Sequence, residues 1–184
     1  MIVMDFVGDD NISWCQEARN QWKKRKHNEN TEIFDYFRYL LPEKFKVLDL
    51  GCNIGNWHAA LVAAGGTYTG VDASHTAIDY ARQRYPEGNF RLLNIGDLDY
   101  EEEFDLVFMN TVLQHINLEN KKKYVPLIVR AIKKNGLFVF QEKCDVDTLT
   151  TFVKEGWIKF MEDRGLKFIK YKEDPINGFV FRKL

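Results

Sequence analysis

The chain has 184 residues, 45% of them hydrophobic and 29% charged, with a formal net charge of -1. That size favours one domain, and 14 Phe, 8 Tyr and 4 Trp can build its core without disulfides or a metal. The 12 Gly and 4 Pro exclude collagenous and low-complexity chains, and the near-zero charge gives no overall pull toward nucleic acid or anionic membrane.

From the N-terminus, Trp14, Ala18 and Trp22 recur at helical spacing, and so do Ile33, Phe34, Phe37, Leu40 and Leu41. Two helices are expected, the second ended by Pro42. An alternating pattern follows. FKVLDL (45–50) reads as a strand stopped by Gly51, and residues 56–64 as a helix with Trp57, Ala60, Leu61 and Ala64 on one face. TYTGVD (67–72) is a second strand. Ser74 caps a helix that ends before Pro86, and residues 90–95 form a third strand. FDLVFMN (104–110) and LFVFQ (137–141) are the fourth and fifth strands. The helix between them is capped by Asn117 and is expected to kink or divide at Pro126. Asp147 can cap a later helix with Leu149, Phe152, Val153 and Phe160 inward. Residues 166–172 and 179–184, joined by EDPING, read as a hairpin. Alternating strands and helices mean an α/β fold with a parallel sheet covered on both faces, and the hairpin puts one antiparallel strand into it.

Cys15, Cys52 and Cys144 stand at wide spacings with no CxxC or Cys/His cluster, so neither a disulfide framework nor a metal site is expected. The opening MIVMDFVGDDN lacks the basic start of a signal peptide, and no stretch approaches a membrane span. The expected setting is therefore cytoplasmic, with no membrane partner.

In such sheets ligands sit at the carboxyl ends of the strands, so the residues just after each apolar run carry the chemistry. The first loop, DLGCNIGN, has Gly51 and Gly55 with Asn53 between them. It does not match the G-x-G-x-x-G of a dinucleotide site, and Asp49 is unsuited to a neighbouring pyrophosphate. Asp72, ending the second strand, can accept the two hydroxyls of a ribose, or can be a solvated residue at a strand end. Together these residues suit an adenosine-bearing ligand with positive charge and no pyrophosphate.

VLDLGCNIGNW, GVDAS, IGDL, FDLVFMNTVLQHI and AIKKNGLFVF, in that order, resemble the successive motifs of the class I S-adenosylmethionine-dependent methyltransferases. The resemblance runs from about residue 45 onward. It implies a Rossmann-like three-layer sandwich whose mostly parallel seven-stranded sheet has the order 3-2-1-4-5-7-6, the seventh strand antiparallel. It also implies S-adenosylmethionine as cofactor. Asp49 and the backbone of Gly51, Cys52, Asn53 and Gly55 would lie beside its methionine part. Asp72 would hold the ribose, with Ala73 beside the adenine. Asp97 would accept from the adenine amino group, with Leu98 next to the ring, and Asn110 would meet the cofactor's amino group through its backbone carbonyl. Asn53 departs from the family's middle glycine, but Asn tolerates left-handed backbone.

His115 can serve as a general base toward an attacking oxygen or nitrogen, or can only order the loop before Ile116 or line the pocket. His27, His58 and His75 read as surface residues and Cys52 as a packing residue. The expected activity is methyl transfer to an oxygen or nitrogen of a small-molecule acceptor. The alternatives are an RNA methyltransferase using the basic N-terminal helix with Lys23 to Lys26, or a non-catalytic partner protein; Lys121 to Lys123 form a second basic run. Residues 45–184 are taken up by the cofactor-binding core. Residues 1–44, with Trp14 and Trp22, are therefore expected to form a helical cap that acts as lid and selects the acceptor, all within one domain.

Overall fold

A computed structural model describes residues 32–142, 144, 152–173 and 177–184, with backbone alone for residues 32 and 33. Trp14, Trp22, the Lys23 to Lys26 run, Asp147, Leu149 and the centre of EDPING lie outside the described residues.

The strands are β1 (Phe45–Leu50), β2 (Gly66–Asp72), β3 (Asn89–Leu92), β4 (Phe104–Asn110), β5 (Ile132–Glu142), β6 (Leu166–Lys172) and β7 (Asn177–Lys183). They form one sheet of order β3-β2-β1-β4-β5-β7-β6. β1 to β5 pair in parallel, and β7 runs antiparallel to both β5 and β6. This is the fold class and strand order expected from the sequence. The central strands are apolar on both faces, as a sheet covered twice requires.

The period of two along each strand divides the core. Leu48, Leu50, Val107, Met109, Phe138 and Phe140 face α4 (Leu118–Ala131) and α5 (Lys154–Glu162). Val47, Leu106, Phe108 and Val139 face α1 (Glu32–Phe37), α2 (His58–Ala63) and α3 (His75–Arg84). Phe34 and Phe37 of α1 are buried on this second face, and the Phe34 ring lies 5.5 Å from Trp57 and 5.8 Å from Phe108. Phe34, Phe37 and Leu41 of the expected cap thus belong to the sheet's own core. The Tyr36 hydroxyl donates to the Tyr171 carbonyl, and Lys170 Nζ sits 3.6 Å from the Tyr36 ring centroid, tying α1 to the edge strand β6.

Three local expectations are corrected. α4 is one helix through Pro126, so the chain does not divide there. Pro126 and Lys122, whose carbonyl loses its helical donor, both lie on the exposed side, where water can supply it. β3 ends at Leu92 because Asn94 turns the chain, its Oδ1 accepting the Gly96 N–H at 2.8 Å. In α5 the buried pair is Trp157 and Met161, one turn apart, with Phe152 and Phe160 half-buried beside them.

Candidate active site

Strand order reverses between β1 and β4, where crevices form at the carboxyl ends of open α/β sheets. The turn after β1 is built on left-handed residues: Gly51 has φ +72°, Asn53 +50° and Gly55 +74°. Asn53 holds its own turn, its Oδ1 accepting the Ile54 N–H at 2.8 Å. The Gly51 and Cys52 N–H groups both donate to the Val71 carbonyl, at 2.8 and 3.0 Å, which locks the turn to β2. A Cβ on Gly51 would stand 2.4 Å from Val112 Cγ2, so this turn touches the loop that follows β4. Cys52 is buried, and burial with the nearby Asp49 and Asp72 pushes its thiol well above the ordinary range, in keeping with a packing role.

Asp49 is 1% exposed and accepts the Tyr68 hydroxyl at 2.8 Å. Burial pushes its carboxyl from the ordinary 3.8 up to about 7, against the lowering effect of that hydrogen bond and with a further rise from Asp72. Asp72 accepts the Asn53 N–H at one oxygen and the Ser74 N–H at the other, both at 2.9 Å. Burial raises its pKa in spite of these bonds. Among the described residues no Lys or Arg compensates either carboxyl. Ser74 caps α3, with Ala77 N–H donating to its Oγ at 3.2 Å, and the exposed Ala73 lies between it and Asp72.

Asp97 is exposed at the end of a short 3-10 turn (Ile95–Asp97). Leu98 is 3% exposed and packs into the core, with its carbonyl accepting from Arg130 at 2.8 Å. Asn110 ends β4. Its Oδ1 is buried without a hydrogen-bond partner among the described residues, and its carbonyl accepts the Thr111 hydroxyl at 2.7 Å. Thr111 is itself left-handed (φ +56°) and donates its N–H to the Gln141 carbonyl at 2.8 Å, which anchors the loop to β5. His115 lies half-buried in the turn Leu113–His115, with Nε2 3.2 Å from the Gln114 amide nitrogen. The structure thus gathers Asp49, Gly51, Cys52, Asn53, Gly55, Asp72 and Asn110 at the carboxyl ends of the central strands, with the His115 loop against Gly51.

The sequence reading missed Glu142 and took Lys121 for part of a surface basic run. Glu142, at the end of β5, is fully buried; its oxygens accept the Leu113 N–H at 2.6 Å and the Gln114 N–H at 3.1 Å. Lys121 is also fully buried, and its ammonium donates to the Ile116 carbonyl. Burial pushes Glu142 up to about 7 and Lys121 down to about 8. Two buried charges therefore bracket the loop that carries His115. His58 corrects an expectation: it is 8% exposed, not on the surface. Its ring stacks 4.2 Å from Tyr85 and meets Tyr68 edge-on at 4.7 Å, and burial lowers its pKa. His75 is exposed beside Asp79, as expected. No cluster of three or more potential metal ligands occurs among the described residues. No helix among them is long and apolar enough to cross a membrane.

A family model described as a methyltransferase domain matches residues 48–140, just over half of the chain. The ubiquinone biosynthesis O-methyltransferase of Rickettsia conorii is 31% identical over 100 residues, 52% of this chain and 34% of that protein. The chain spans about a third to a half of the length of the curated relatives it matches. A TehB-like S-adenosylmethionine-dependent methyltransferase from Corynebacterium glutamicum superposes with a TM-score of 0.78 at 21% identity, covering 94% of this chain and 99% of that one. The 1,6-didemethyltoxoflavin-N1-methyltransferase of Burkholderia thailandensis, solved with bound 1,6-didemethyltoxoflavin and S-adenosylhomocysteine, superposes at 0.75 with 18% identity, over 95% and 85% of the two chains. At these identities the solved structures carry the fold, and the family match carries the membership. The chain belongs to the S-adenosylmethionine-dependent methyltransferase-domain family, in its class I, Rossmann-like form.

Proposed function

We propose that the protein binds S-adenosylmethionine at the carboxyl ends of β1, β2 and β4 and transfers its methyl group to an oxygen or nitrogen of a small molecule. The observation that carries this reading is Asp49: a buried carboxyl at the strand-order reversal with no cation beside it among the described residues. A ligand bearing sulfonium and ammonium groups supplies the missing charge, and the buried Asn110 Oδ1 offers one more acceptor. The donor set therefore fits this cofactor and not a pyrophosphate.

When bound, S-adenosylmethionine supplies a methyl group on a positively charged sulfur, already activated toward displacement. The protein's task is then alignment and exclusion of water. On this reading Asp72 holds the ribose hydroxyls through the lone pairs left by Asn53 and Ser74, with Ala73 beside the adenine. Asp97 accepts from the adenine amino group next to the Leu98 main chain. In the same reading His115, on the loop that touches Gly51, takes the acceptor's proton. The RNA alternative rests on Lys23 to Lys26, which lie outside the described residues; in the second basic run Lys121 is buried and Lys122 pairs with Glu119 at 2.8 Å.

Calorimetric titration of S-adenosylmethionine into cofactor-free protein tests the binding step. Asp72→Ala should weaken binding at least tenfold, the effect of about one charge-assisted hydrogen bond. Wild-type protein that binds no cofactor would sink the reading. Incubation with methyl-labelled cofactor and a metabolite extract, followed by mass spectrometry, identifies the acceptor. Tight cofactor binding with no labelled product would favour a non-catalytic partner protein.

A further inference from the structure

We propose that Tyr68 is a positioning residue of the cofactor site: its hydroxyl claims one oxygen of Asp49 and leaves the other for the positive group of the ligand. This inference rests on the cofactor reading above and names a residue that the motif resemblance does not contain.

The geometry depends on three residues of adjacent strands. In the β1–β2 register Val47 lies opposite Tyr68 and Asp49 opposite Gly70. Tyr68 and Gly70 are two apart in β2, so both face the same side of the sheet as Asp49. A Cβ at Gly70 would stand 2.7 Å from the Tyr68 hydroxyl and 2.8 Å from its ring, within the space the side chain occupies. Because Gly70 has no Cβ, the Tyr68 ring can lie along β2 and reach diagonally to Asp49 Oδ2 at 2.8 Å. The ring is fixed from behind by His58 edge-on at 4.7 Å and by Phe90 at 5.5 Å.

Tyr68 is 6% exposed, so water does not compete for this contact. Among the described residues its hydroxyl is the one hydrogen-bond donor to the Asp49 carboxyl. Buried carboxylates ordinarily gather several donors or a cation. One donor at one oxygen leaves Asp49 ordered but incomplete, which suits a group whose second partner arrives with the ligand. The groups facing Asp49 are Tyr68 and Asp72 from β2 and the Cys52 thiol from the following turn, with His58 of α2 behind Tyr68; Phe108 of β4, opposite in register, is apolar. Tyr68 is the member of this set that stabilises the ionised carboxylate. Removing its hydroxyl moves Asp49 ionisation, and with it cofactor affinity, to higher pH.

The test is calorimetric titration of S-adenosylmethionine into the full chain and its Tyr68→Phe variant, from about pH 6 to about pH 9. The expected result is a variant that binds about tenfold more weakly near neutral pH, with the affinity decline shifted up by about one pH unit and the gap narrowing at alkaline pH. A purely structural loss would weaken binding by the same factor at every pH. That result, or unchanged binding, overturns the proposal while leaving the cofactor reading intact. Wild-type protein that binds no cofactor overturns both. Should Tyr68→Phe fail to fold, 3-fluorotyrosine placed at Tyr68, a stronger donor of nearly equal shape, should shift the decline to lower pH; no shift rejects the proposal.

Discussion

The carboxyl group of Glu142, at the end of β5, accepts the backbone N–H of Leu113 at 2.6 Å. A side chain of one strand thereby holds the first turn of the loop that follows its neighbour. With Lys121 on the Ile116 carbonyl, the loop is gripped at both ends from below. Glu142→Ala should cost about 1–3 kcal/mol, because it leaves the Leu113 and Gln114 N–H donors without acceptors. Urea unfolding measures the loss. Amide exchange should quicken at Leu113 and Gln114 more than across β5 itself; a uniform change would contradict the clamp.

Asp49 links stability to pH. Its folded-state pKa of about 7 lies above the ordinary 3.8, so the folded protein holds a proton that the unfolded chain releases. The corresponding stability is fully present below about pH 4 and lost as pH rises through about 7. Glu142, raised from 4.5 to about 7, adds in the same direction. Cofactor-free protein should therefore melt at a lower temperature near pH 8 than near pH 6, apart from other titrating groups. Asp49→Asn should flatten that slope. An unaltered slope in the variant would reject the assignment.

Gly51 and Val112 are in mutual contact, and the contact separates two effects. Gly51→Ala places a Cβ 2.4 Å from Val112 Cγ2 and imposes φ +72° on a residue with a side chain. The clash and the backbone strain should each cost about 1–2 kcal/mol. Adding Val112→Ala should recover the clash but not the strain. Full recovery in the double variant would show that φ carries no penalty there.

Asn53, at φ +50°, should tolerate Gly and resist Ala. Asn53→Gly keeps the left-handed turn and gives up the Oδ1 bond to Ile54, for a net change within about 1 kcal/mol. Asn53→Ala loses that bond and adds strain, for about 1–2 kcal/mol. Chemical denaturation of the two variants ranks them; the reverse order would deny Asn53 its conformational role.

The strands and helices were legible because each apolar run ends in a turn residue and each helix shows its own period, whereas the strand order was implied by the family resemblance alone. The first turn was equally readable, since Gly51, Asn53 and Gly55 occupy left-handed positions that few other residues accept. The buried polar residues were harder. Lys121 looked like part of a solvated run, yet it shares a helical face with Val125 and Ile128, all buried. His58 stands one turn before the buried Leu61, and its aromatic neighbours come from β2, the end of α3 and β3, which no local window contains. Glu142 directly continues an apolar strand, a weak signal in sequence that becomes clear only when the loop it caps folds over it.

On the proposed reading, the uncompensated carboxyl of Asp49 turns ligand capture into an exchange of charges. Near neutral pH a fraction of cofactor-free molecules carries a proton there, and an arriving cation must displace it. That proton passes to the buffer, so the heat of binding includes the buffer's own ionisation enthalpy. Titrations in phosphate and in Tris at the same pH should differ in heat while agreeing in affinity, and the difference counts the protons that leave the site.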